Sequence, residues 1–142
     1  MAYKKLLTIM ETNKDNIANQ AAQIIIQRHV GRYSELTTAE LVKRNLALVE
    51  IVIQYLRDGD IAVYRNSIKE HVELRRQQGF SGSDVSSRTT IMIEKVIEII
   101  ELEMAAPELE QTKNDYINRI MSIAALGKAS TSSAFLKKGN DA

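Results

Sequence analysis

The stretch Glu73-Leu74-Arg75-Arg76-Gln77-Gln78-Gly79-Phe80-Ser81 decides the fold, because one helical pattern stops inside it and the next begins. Gly79 is placed to take the left-handed conformation that ends a helix, and Ser81 to cap the next. Asp84 completes a capping box at the third position, and Phe80 is the staple partner of Val85. Each residue of Gly-Phe-Ser therefore has a role in turning the chain between two helices. Upstream, Leu56-Arg57-Asp58-Gly59-Asp60 forms a junction of the same kind: Gly59 closes a helix, and Asp60 caps one that runs to about Gln78.

Working outward, Thr37 and Glu40 predict a capping box, with Leu36 stapled against Leu41, at the start of the helix that Gly59 closes. That second helix carries Val42, Leu46, Leu48, Val49, Ile51, Val52, Ile53 and Tyr55, apolar around much of its circumference. Before it, a first helix is expected over residues 2–30, with a polar patch at Thr12-Asn13-Lys14-Asp15-Asn16 able to kink or divide it and Gly31 as its left-handed cap. A loop over 32–36 joins the two. The fourth helix, about 82–104, is the most apolar stretch, and Pro107 fits the first turn of a fifth that runs to a stop at Gly127. Residues 128–142 are polar and are expected to be a flexible tail. The reading is all-α: a single-domain helical bundle of about five helices over 1–127, followed by the tail 128–142.

Composition agrees with this class. A chain of 142 residues, 44% hydrophobic and 26% charged, suffices for one domain that buries roughly 70% of its unfolded surface. The lack of Trp, with two Phe and one Pro, favours helices over a many-turned β-sandwich. The absence of Cys excludes disulfides, thiolate metal sites and a cysteine nucleophile. A net charge of +1 provides no field to attract nucleic acid. No apolar run approaches the roughly 18 residues of a membrane span, and Met1 to Thr8 lacks a secretory hydrophobic region, so a soluble, cytoplasmic protein is expected.

The residues show no chemistry. His29 and His71 fall on different helices without the Glu-x-x-His spacing of di-iron bundles, and neither suggests a metal site. The serines around Ser81 and over Ser130 to Ser133 lack a histidine and acid at an activating spacing, and Gly79-Phe80-Ser81-Gly82 lacks the lysine of a phosphate loop. No catalysis, metal or cofactor is expected. Glu94, Glu98 and Glu101 share one helix face, extended by Glu103, Glu108 and Glu110. They form either a solvated face paired with Arg65, Lys69, Arg75, Arg76 and Arg88, or a surface for a partner or a divalent ion. Phe135 and Leu136 beside Lys137 and Lys138 have the composition of a short docking peptide; the alternative is an untethered terminus.

The Leu-x-x-Gly-Asp stop at Leu56 to Asp60, the helix with Arg75-Arg76 and Gln78-Gly79-Phe80-Ser81, and the apolar helix after them resemble the amino-terminal domain of RsbT co-antagonist proteins of the RsbRD type. The resemblance runs from about Asn16 through Met104 and more loosely to Leu126. It implies an all-helical sensory domain of bacterial stress signalling that acts by protein contact, as a homodimer, and transfers no catalytic residues. Such domains normally precede a sulfate-transporter and anti-sigma-factor antagonist (STAS) output domain, which this sequence lacks, so the output is expected to pass through a separate signalling partner. The expected contact surface is either Arg75, Arg76 and Phe80 or Glu94, Glu98 and Glu101, with the dimer seam on the second or fourth helix. The alternative is a small-molecule sensor whose interhelical pocket is lined by Tyr55, Tyr64, Met92 and Phe80, with His71 available to haem.

Overall fold

The structure, a computed structural model, describes residues 3–141, with side chains through residue 136. Five α-helices make up nearly all of it: α1 (Lys4–Gln27), α2 (Thr38–Asp58), α3 (Ile61–Gln77), α4 (Gly82–Glu103) and α5 (Glu110–Asp141). Short 3₁₀ turns at Gly31–Glu35 and Pro107–Leu109 precede α2 and α5. Helix α1 packs on α2 and α4, α4 on α5, α5 on α3, and α3 back on α2, so the five helices close a ring around one core.

The junctions form as the capping residues dictate. The Ser81 Oγ accepts from the Asp84 amide at 3.0 Å, and the Asp84 carboxylate accepts from the Ser81 amide at 3.5 Å. Asp60 accepts from the amides of Ala62 and Val63. Such caps stabilise a helix by about 1 kcal/mol each. At α2 only half of the expected box exists: Thr37 accepts from the Glu40 amide, but the Glu40 side chain pairs with Arg44, one turn on, at 3.3 Å. Phe80 and Val85 are both buried, as the staple requires.

Helix α1 starts at Lys4, the first two residues lying outside those described, and it runs undivided to Gln27. Within the polar patch Asn13 donates to the Ile9 carbonyl and the Asp15 carbonyl accepts from Asn19, both at 2.8 Å, while Lys14 pairs with Glu50 of α2 at 3.0 Å. After α1, His29 takes the left-handed conformation (φ 51°) as well as Gly31 (φ 45°). Gly31 is needed for a second reason: a Cβ there would collide with the Asp84 carboxylate.

The largest departure from expectation is at Gly127. It does not end α5, which continues to Asp141, so the stretch read as a flexible tail is helical as far as it is described. Gly127 serves a close approach instead. The Tyr64 hydroxyl donates to the Ile123 carbonyl at 2.8 Å, and a Cβ on Gly127 would lie 3.1 Å from that hydroxyl. Beyond it, Thr131 is buried and Phe135 packs against Gly82. Phe135 is thus an internal anchor, while Leu136 is exposed; the side chains of Lys137 and Lys138 lie outside the described set.

The dimer seam inferred from apolar girth also loses its basis. The apolar side chains of α2 and most of those of α4 are buried or half-buried within the one chain, and Leu102 is the marked exception at 72% exposed. Among the described residues no helix is long and apolar enough to cross a membrane.

Candidate functional site

Inside the ring lies a cavity of about 60 Å³ to which all five helices contribute. Its walls are mostly aliphatic, with Met10 from α1, Val49 from α2, Met92 and Val96 from α4, and Ile123 from α5. The polar exceptions are Tyr64, His71, Thr89 and Thr131. Three of the four have their hydroxyls committed to helix backbone: Thr89 donates to Val85 and Thr131 to Gly127. Tyr64 is likewise committed to Ile123, and burial, followed by the neighbouring Tyr55, pushes its phenol up to about 12.

His71 is held from behind. Its Nε2 lies 2.6 Å from Nη2 of Arg88. A guanidinium only donates, so the imidazole accepts at Nε2 and its proton is assigned to Nδ1. Burial first, then the charges of Arg88, Arg75 and Arg44, pull the His71 pKa down to about 3, so the ring is neutral at ordinary pH. Among the described residues no acceptor meets the Nδ1 proton.

Arg88 belongs to a polar cluster within the core. It is 0% exposed, and its Nη1 donates to Asn45 Oδ1 at 3.3 Å, while Asn45 donates to the Ala18 carbonyl at 3.1 Å. The guanidinium lies 5.1 Å from the centroid of the Tyr33 ring, which in turn packs on Phe80 with centroids 4.3 Å apart. Arg75, 5% exposed, and Arg44 both donate to the Gln78 carboxamide oxygen, at 2.8 and 3.1 Å. The Tyr33 hydroxyl faces Arg75 and Arg88 but meets neither with hydrogen-bond geometry, and the Nε atoms of both arginines are also buried without an acceptor.

This geometry corrects the first expected contact surface. Arg75 and Phe80 are interior residues, and Arg76 is turned away from them, paired with Glu73 at 2.7 Å. Helix geometry explains the split, since adjacent residues such as Arg75 and Arg76 face about 100° apart. The acidic set Glu94, Glu98 and Glu101 does lie exposed on one face of α4. Its ion pairs differ from those expected: Glu94 meets Arg28 at 3.7 Å and Glu98 meets Lys95 at 3.0 Å, whereas Arg75 and Arg88 are buried elsewhere. Among the described residues, no group of three or more His, Cys, Asp and Glu is disposed to hold a metal ion.

Of the residues expected to line a pocket, Tyr64, Met92 and His71 do so. Tyr55 stacks on Tyr64 with centroids 4.8 Å apart, outside the cavity, and Phe80 belongs to the arginine cluster. Haem does not fit, because Nε2 of His71 already engages Arg88 and about 60 Å³ is far below the volume of a macrocycle. Tyr33, Arg44 and Asn45 were not singled out by the sequence, and Gln78 was read only as part of the helix junction, although Asn45 sits at a core position between Leu41 and Leu48. Comparison with protein-family models, curated proteins and solved structures finds no match.

Proposed function

We propose that this chain is a non-catalytic regulatory domain that binds a small, mostly apolar molecule in its interhelical cavity and signals occupancy to a partner protein. The observation that carries the reading is that all five helices wall the same cavity. A molecule placed there touches each of them, so its binding favours one packing of the whole bundle over another and alters the surface that a partner meets. His71, which lines the cavity and carries its proton on Nδ1, is the polar group proposed to orient such a ligand through a carbonyl or ether oxygen at the end of an apolar body. The resemblance to RsbRD-type sensory domains points in the same direction, and the exposed acidic face of Glu94, Glu98 and Glu101 is the surface proposed for the partner.

Xenon is a suitable first probe, because small apolar cavities in proteins take it up. Methyl resonances of Met92 and Ile123 should shift saturably with xenon pressure, whereas the exposed Met121 methyl should not. Ala124→Val, which places two more methyl groups in the cavity wall, should reduce the response. Equal shifts at Met121 and Met92, or an undiminished response in the variant, would refute the cavity as a ligand site.

A further inference from the structure

The core of this protein holds more positive charge than it neutralises. Arg75 and Arg88 are buried, and no carboxylate among the described residues forms an ion pair with either. Arg44, beside them, has Glu40 at 3.3 Å, but that carboxylate is half exposed at the rim. An uncompensated ion in the interior costs several kcal/mol, and an arginine does not escape the cost by losing its proton near neutral pH. Burial, then Arg44 and Arg88, lower Arg75 to about 10, which leaves it charged.

Two of the buried guanidinium donors there, the Nε atoms of Arg75 and Arg88, have no acceptor, and the Tyr33 hydroxyl, able to donate or accept, lies unpartnered beside them. The one oxygen that joins two guanidiniums belongs to Gln78, and it is neutral. Gln78 caps the C-terminus of α3 and is itself exposed, so its side chain is free to swing away. Its carboxamide oxygen occupies the position that an anionic oxygen would hold more strongly, because an anion adds Coulombic attraction to both guanidiniums.

We propose that Arg44, Arg75 and Arg88, with Tyr33, form a binding site for a small oxyanion, a phosphate or a carboxylate, which enters at the junction of α3 and α4 by displacing the Gln78 carboxamide. One oxygen bridges Arg44 and Arg75 where Gln78 Oε1 now lies, and another meets the free donors behind it. The site adjoins the apolar cavity through the contact of Arg88 with His71, and neither proposal requires the other.

Potassium phosphate, potassium acetate and potassium chloride, titrated into the whole chain at matched ionic strength, separate this proposal from general salt effects. The Nε–Hε resonances of Arg75 and Arg88 should move saturably with phosphate or acetate and not with chloride. A response to phosphate alone assigns a phosphate ligand, and a response to both assigns a carboxylate-tolerant site. Arg44→Gln, at the rim, should weaken binding about ten- to a hundredfold by removing one charge-assisted contact. Gln78→Glu supplies a tethered carboxylate, so it should raise the melting temperature and abolish the response to added oxyanion. Resonances that follow ionic strength alone overturn the proposal. So does a Gln78→Glu protein that melts no higher and still responds to phosphate.

Discussion

His71→Gln should remove a specific part of the protein's acid sensitivity. The folded His71 pKa is about 3, against an ordinary value of 6.5, because burial and the facing charges of Arg88, Arg75 and Arg44 disfavour the imidazolium. Between these two values the unfolded chain binds a proton at this position and the folded chain does not. Stability therefore falls as pH drops below about 6.5, by about 1.4 kcal/mol per unit, and the loss ends only near the folded value. From about pH 7 to about pH 5 the loss is on the order of 2 kcal/mol from this residue. Glutamine cannot titrate, but its carboxamide oxygen is able to accept from Arg88 as Nε2 does. Urea unfolding of wild type and variant at the two pH values gives the comparison, and carboxylates common to both proteins cancel. Wild type should lose about 2 kcal/mol more than the variant across this interval. Equal losses would mean that His71 protonates in the folded state as easily as in the unfolded one, and the buried contact with Arg88 would then be wrong.

One substitution and one deletion test the architecture. Asn45→Ala leaves one nitrogen of the buried Arg88 without its acceptor and removes the tie to the Ala18 carbonyl, so it should cost about 1–3 kcal/mol by urea midpoint, far more than truncation of an exposed asparagine. Deleting residues 128–142 should cost on the order of 2 kcal/mol, because it removes the buried Thr131 and the packing of Phe135 on Gly82; a flexible tail would be lost with almost no change in melting temperature.

The junctions were legible because capping is short-range. Ser81 and Asp84, or Asp60 and the amides after it, act within one turn, so their spacing along the chain already contains their geometry. Gly127 was not legible for the opposite reason. Its lack of a side chain answers to Tyr64, a residue of another helix, and a glycine required by a neighbour looks the same in sequence as one that ends a helix. The polar composition of 128–133 misled in a related way: Ser130 and Thr131 donate to the carbonyls of Leu126 and Gly127, so their hydroxyls are satisfied within the helix.

The site was half visible. Arg75 continues the inward face set by Ile68 and Val72, and Arg88 lies between Val85 and Met92 on the inward face of α4. A charged residue in core register is the signal that was available, and reading Arg75 with Arg76 as one surface patch overrode it. Convergence was not available, because Tyr33, Asn45, His71 and Arg88 come from four separate segments and meet only once the ring of helices has closed. That closure gives His71 two faces with different duties. One nitrogen accepts from Arg88, which fixes the tautomer and leaves the proton on the other, and the ring helps to line the cavity. An anion placed beside Arg88 competes for the same guanidinium and so acts on the hydrogen bond that fixes this tautomer. The polar cluster and the apolar cavity thus share one residue pair, and whatever coupling passes through it must act equally in both directions.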